Sequence, residues 1–204
     1  MSDATPLPLP PTTVPPPEDA APLEGIDPTR ITALAAAEIE RITLTAPDPE
    51  TWRERMERVL TVAHTTAAIA AIAIVAAQVG AIRAGGLPPA TRAALRRRLQ
   101  DEIGYLRRMV AEWDTLSPAQ RRARAMLYAG GVRVTYYDIR YGDWDVPDHL
   151  MPGRQACDGN CRCTIRIYDN GDGTGVLVRD LNGENHCRDC PYLAGSYLIW
   201  KRRR

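Results

Sequence analysis

Phenylalanine is absent from this 204-residue chain, and lysine occurs only once, as Lys201. Alanine is the commonest apolar residue, which favours closely packed helices over a core of large side chains. The remaining 25 basic residues are arginines, and arginine suits planar, bidentate contacts better than lysine does. Because 25 acidic residues nearly cancel this charge, net charge gives no reason to expect a polyanionic partner.

Motifs of the common enzyme classes are also missing. The sequence has no glycine-rich phosphate loop and no His-Glu-x-x-His pattern. His64 lies in an apolar stretch and His149 in a loop, so we interpret each as a satisfied or an exposed histidine. The segment DNGDGTG lacks the closing glutamate of a helix–loop–helix calcium site, and we interpret it as a turn. We therefore predict that the protein is not an enzyme.

No basic and apolar leader opens the chain, because MSDATPLPLPPTTVPPPEDAAP is acidic and rich in proline. The five cysteines are an odd number, which does not suit a disulfide framework. We therefore expect assembly in a reducing, intracellular compartment, with thiols used for metal. Residues 1–26 are predicted to form a disordered, proline-rich arm, and a docking peptide is the alternative interpretation.

The fold class predicted is mainly α, with a helical domain of about four helices over residues 27–141. Three helix starts show a capping side chain followed by proline: Asp27-Pro28, Asp48-Pro49 and Ser117-Pro118. Gln120 completes a capping box with Ser117. The predicted helices run over 28–45, from Pro49 to about Arg83, after the segment LPPATR, and after Ser117.

Apolar residues at helical spacing define the predicted buried faces. These are Ile31, Ala35, Ile39 and Ile42 in the first helix, Leu95, Leu99, Ile103, Leu106, Val110 and Trp113 in the third, and Ala123, Leu127, Val134 and Tyr137 in the fourth. The third helix also has an arginine-rich side with Asp101, Glu102 and Glu112 among the arginines. We interpret that side as a solvated face with weak ion pairs, and a protein or DNA contact is the alternative.

Residues 60–82 of the second helix carry no formal charge, and their number would suffice to cross a bilayer. Alanine contributes little transfer energy, however, and His64, Thr65, Thr66 and Gln78 would be poorly placed in lipid. We therefore predict a buried or oligomer-facing helix, with a membrane-active segment as the alternative.

Composition changes after the fourth helix. Residues 142–156 have no helical stripe and are predicted to be a connector. The aromatic residues Tyr136, Tyr137, Tyr141 and Trp144 are expected to pack that connector against the body. Residues 157–204 begin with a β-hairpin, in which CTIRIYD and VLVRDL flank the turn segment NGDGTG, and end in a basic tail, KRRR.

All five cysteines lie around this hairpin, as Cys157, Cys161, Cys163, Cys187 and Cys190. Antiparallel pairing brings the cluster before the first strand and the cluster after the second strand to the same end. Zinc prefers four sulfur or nitrogen ligands in a tetrahedron, commonly from two short chelating loops. We predict a closed, structural zinc site with Cys187 and Cys190 as the first ligands, completed by two of Cys157, Cys161 and Cys163, and with His186 as a spare candidate. Ordinary buried or disulfide-linked cysteines are the alternative.

The segments LSPAQRRARAMLYAGGVRVTYYD, GNCRCTI and HCRDC resemble bacteriophage minor head proteins of the head-morphogenesis group. Members typically combine a helical body with an Asn-Cys-Arg-Cys element, and many have a His-Cys-x-x-Cys pair. The likeness covers about residues 90–190. The matching positions are Asn160, Cys161, Arg162, Cys163, His186, Cys187 and Cys190.

This resemblance implies a low-copy virion protein, assembled in the host cytoplasm and associated with the portal or the inner capsid. Its partners would be portal, capsid or adjacent head–tail proteins, with self-association as a further option. Two alternatives remain open at this point: a zinc-dependent nucleic-acid binder using Arg162, Arg166, Arg179 and the KRRR tail, and a membrane-active ejection protein using residues 60–82.

Overall fold

A computed structural model describes residues 28–79, 87–152, 163–181 and 190–202. Its helices are α1 (Pro28–Thr45), α2 (Pro49–Val79), α3 (Pro89–Ala111), α4 (Pro118–Arg140) and the one-turn α5 (Cys190–Leu193). Its strands are β1 (Thr164–Asp169), β2 (Thr174–Asp180) and β3 (Gly195–Trp200). The predicted arm, the end of the second helix, four of the six candidate metal ligands and the last two arginines of the tail lie outside the described residues.

Local side chains fix the predicted helix starts. At the start of α4, the Ser117 hydroxyl accepts a hydrogen bond from the Gln120 amide, and the Gln120 side chain accepts one from the Ser117 amide. At the start of α2, the Asp48 carboxylate accepts hydrogen bonds from the amide and the hydroxyl of Thr51, at 2.8 and 2.6 Å. Because these starts depend only on neighbouring residues, the sequence was sufficient to predict them.

The first hydrophobic core lies among the four long helices. Trp52 of α2 and Trp113 just after α3 place their ring centroids 5.2 Å apart at its centre. The other buried members are Ile39, Ile42, Met56, Leu60, Leu106, Met109, Leu116, Ala125, Tyr128 and Ala129. The face predicted for the first helix is confirmed, since Ile31, Ala35, Ile39 and Ile42 are all buried.

The predicted face of the fourth helix was partly wrong. Ala123 and Leu127 are exposed, and Ala125 and Tyr128 point into the core instead. The second half of α4 is buried on all sides, from Tyr128 to Tyr137, because α1 and α2 both pack against it. A helix that is covered on all sides has no single apolar stripe, so periodicity could not find the correct face.

The predicted hairpin is confirmed, and the sheet gains a third strand. β1 pairs antiparallel with β2, with Thr164 opposite Asp180, and β2 pairs antiparallel with β3. The turn between β1 and β2 uses positive φ angles at Gly171 and Gly173 (82° and 89°), which glycine adopts without steric cost. Sequence reasoning missed β3, whose residues had been given no element between the hairpin and the KRRR tail.

A second core joins the sheet to the helices. Tyr137 and Tyr141 stack with centroids 6.0 Å apart, and the Tyr141 hydroxyl donates to the carbonyl of Ile165 in β1. Trp144 packs directly on β2: a Cβ added to Gly175 would lie 2.7 Å from the indole ring. The prediction that these aromatic residues pack the connector against the body is therefore confirmed.

The connector also extends the sheet. The amide of Asp145 donates to the carbonyl of Trp200, and the amide of Arg202 donates to the carbonyl of Asp143, both at 2.8 Å.

None of the described helices combines the length and the apolarity that a membrane crossing requires.

Candidate metal centre

The site is built at the end of the sheet where β1 begins and β2 ends. Cys163 immediately precedes β1, and Cys190 opens α5, which leads into β3. Antiparallel pairing of β1 with β2 puts Cys163 beside the end of β2, and the short helix α5 returns Cys190 to the same place. One cysteine from each of the two sequence clusters therefore reaches a common point.

The two sulfurs lie 3.2 Å apart, and both residues are 1% exposed. A disulfide requires about 2.05 Å, so no disulfide joins them at this distance. Tetrahedral zinc with bonds of about 2.3 Å would hold two sulfurs about 3.8 Å apart. The observed sulfur–sulfur distance is therefore about half an ångström shorter than the distance between two ligands of one zinc ion.

The side chain of Arg179 in β2 also lies at this end of the sheet, and the residue is only 1% exposed. Its guanidinium donates to the carbonyl of Leu150 at 2.7 Å and to that of His149 at 3.3 Å, and it contacts the Cys190 sulfur at 3.6 Å. These contacts tie Cys190 and the end of β2 to the connector.

Replacing Arg179 with methionine is expected to lower the free energy of unfolding by about 2–3 kcal/mol, because the buried carbonyl of Leu150 and the partly buried carbonyl of His149 lose their donor. Arg166→Met is the matched control: Arg166 lies on β1, is exposed and pairs with Asp180 at 2.5 Å. Exposed pairs of this kind contribute at most about 1 kcal/mol. Urea denaturation of both variants measures the difference, and equal losses would show that the buried guanidinium adds no more than its packing.

The remaining candidate ligands, Cys157, Cys161, His186 and Cys187, lie outside the described residues. Within the part of the chain that the structure describes, no group of three or more histidine, cysteine or acidic side chains is placed to hold a metal ion. Zinc binding by these residues consequently stays a prediction.

A second buried polar cluster lies between α2 and α4, and the sequence did not indicate it. Nδ1 of His64 lies 2.7 Å from the Thr135 hydroxyl, which itself donates to the carbonyl of Gly131. A proton on Nδ1 of His64, donated to that hydroxyl, is compatible with both contacts. Burial, together with the nearby charge of Arg98, lowers the pKa of His64 to about 3. The interpretation of His64 as a satisfied core histidine is confirmed for Nδ1, while Nε2 is buried without a hydrogen-bond partner among the described residues.

The prediction that the arginine-rich side of the third helix is a solvated face was wrong at one residue, which lies beside this cluster. Glu102 had been placed on a solvated face, yet it is only 5% exposed and pairs with Arg98 at 2.8 Å. Burial raises the pKa of Glu102, although the charge of Arg98 acts in the opposite direction. Gly131 of α4 makes room for the pair, since a Cβ there would lie 2.5 Å from the Glu102 carboxylate. Periodicity could not show that the facing helix leaves this space.

The basic residues proposed for nucleic-acid contact do not all lie on the surface. Arg179 is buried, so it cannot reach a phosphate, which corrects its assignment in that alternative. Arg166 pairs with Asp180, and Lys201 pairs with Asp169 at 2.6 Å. Arg162 lies outside the described residues.

Comparison of this chain with models of protein families, with curated proteins and with solved structures finds no match.

Proposed function

We propose that this protein is a structural component of a bacteriophage particle, a minor head protein that acts by docking to other virion proteins. The observation that carries the proposal is the meeting of Cys163 and Cys190. These cysteines come from the Asn-Cys-Arg-Cys and the His-Cys-x-x-Cys elements, the two segments on which the likeness to minor head proteins mainly rests. One cysteine of each element therefore lies at the same end of the sheet.

A zinc ion would be held by Cys163 and Cys190 with two of Cys157, Cys161, Cys187 and His186. Four protein ligands make a closed site, so the metal would stabilise the sheet and supply no open position for chemistry. The stacked tyrosines and Trp144 tie the sheet to the helical body, so a stiffened sheet would be fixed relative to the helices. Such a unit suits a docking role beside the portal or the inner capsid wall.

The two alternatives find less support in the described residues. Nucleic-acid binding loses Arg179 to the interior, and the ion pairs of Arg166 and Lys201 compete with phosphate contacts. Membrane insertion draws no support from the described part of α2.

The proposal is tested on particles purified from cells that carry the gene. We expect mass spectrometry to detect the protein in intact heads at a few copies per particle, and deletion of the gene to yield defective heads. A wild-type particle yield after deletion, with the protein found only in the soluble fraction, would reject the virion role. A steep loss of DNA affinity with added salt in the purified protein would instead favour the nucleic-acid alternative.

A further inference from the structure

An apolar groove runs between the first turns of α1 and the middle of α2, with a volume of about 360 Å³. Six apolar residues line most of it: Ile31, Leu34, Ala35, Val59, Val62 and Ala63. Glu38, Arg58 and Thr66 lie at the remaining positions. Leu34 and Val62 are each 66% exposed within the groove. Single exposed apolar side chains are ordinary, but a contiguous apolar groove marks a contact surface.

The chain enters α1 directly at this groove. Pro28 is the first helical position, so Ile31 is the fourth. The sequence predicts Asp27 as the capping residue, and Ile26 immediately precedes it. An apolar residue before the cap commonly packs on the fourth helical residue, as a hydrophobic staple. Ile31 lines the groove, and a staple would therefore start the preceding segment into it.

Chain length then places a second apolar residue. Leu23 precedes Asp27 by four residues, which span about 13 Å when extended. Because α1 rises 1.5 Å per residue, 13 Å along the helix corresponds to eight or nine residues beyond Asp27. A segment running back along α1 thus brings Leu23 level with Ala35 and Ala36, next to Leu34 near the centre of the groove. Gly25 lies between the two apolar residues and permits the reversal.

We propose that residues 20–26, AAPLEGI, fold back along α1 and occupy this groove, with Ile26 on Ile31 and Leu23 between Leu34 and Val62. The acidic, proline-rich residues 1–19 then leave the body from a fixed point. This gives the arm the character of an anchored docking peptide. The proposal does not depend on the metal centre or on the virion role.

Limited proteolysis of the full chain with a glutamate-specific protease tests the arrangement, because the arm has one cleavage site before the predicted anchor and one inside it. Glu18 lies in the free part and Glu24 in the docked part. We expect cleavage after Glu24 to be at least tenfold slower than cleavage after Glu18, with both rates normalised to those of the urea-unfolded chain.

Two exposed leucines of α1 provide matched variants. Leu34→Asp should raise cleavage at Glu24 to the rate at Glu18, whereas Leu44→Asp should leave it slow, since Leu44 is 69% exposed and lies outside the groove. Leu23→Asp should act as Leu34→Asp does, without changing the helical body. Leu34 and Leu44 are both exposed residues of α1. A difference between their two variants therefore reports the loss of the groove contact and not a loss of helix.

Three results would overturn the proposal. The first is equal cleavage at Glu18 and Glu24 in the unaltered protein. The second is protection that persists in Leu34→Asp, because the groove would then not be its cause. The third is protection that vanishes on dilution together with a fall from dimeric to monomeric mass in light scattering, which would make a second copy the occupant.

Discussion

Serine at both Cys187 and Cys190 is expected to abolish zinc binding and to unfold the three-stranded sheet. Structural zinc contributes roughly 10–16 kcal/mol to folding small units of this kind. At the cysteine end of the sheet, the cluster of described residues around Cys163 and Cys190 adds only Leu181, so apolar packing there does not replace it. Metal content by mass spectrometry should fall from one zinc per chain to none. The helical signal in circular dichroism should largely persist, because the core around Trp52 and Trp113 contains no residue of the sheet.

Reducing agent separates the metal from a disulfide. If zinc holds the site, the unaltered protein keeps its metal and its melting temperature in dithiothreitol and loses both in a strong chelator. A protein stabilised by a disulfide would show the reverse behaviour, with a mass two hydrogens lower before reduction. Unchanged metal content and stability in the double variant would reject the metal centre.

Acidification is expected to destabilise the protein through His64. The pKa of this residue is lowered from 6.5 to about 3 in the folded state by burial and by the charge of Arg98. The unfolded chain therefore binds a proton first, and stability that is present above pH 6.5 is lost as the pH falls towards 3. One pKa unit corresponds to 1.36 kcal/mol, so the loss between pH 6.5 and pH 4 should be about 3 kcal/mol.

His64→Asn, which retains a polar atom near the Thr135 hydroxyl, should flatten this part of the stability–pH curve. His149→Asn is the control, because it also removes one imidazole but from an exposed position. Urea unfolding at several pH values measures both. Glu102 acts in the opposite sense, since its raised pKa makes protonation favour the folded state. An identical pH dependence in His64→Asn and the unaltered protein would contradict the assignment.

Only part of the candidate site could be predicted from the sequence. The hairpin prediction already implied that the two cysteine clusters meet, because antiparallel pairing and a short glycine turn leave one arrangement. The position of Arg179 beside Cys190 was not accessible in this way. Its neighbours come from the connector and from α5, segments whose approach to β2 depends on the tyrosine and tryptophan packing of the whole body.

Local chemistry in the sequence determined the starts of α1, α2 and α4, the buried face of α1 and the hairpin turn, because each depends on residues a few positions apart. Tertiary structure alone decided which side of α4 is buried, that Glu102 and Arg179 lie inside, and that residues 195–200 form a third strand. In each of these cases the deciding contact joins residues distant in sequence. Only the space left by a facing element, such as the gap at Gly131 that admits Glu102 and Arg98, decides whether a charge there is solvated or buried.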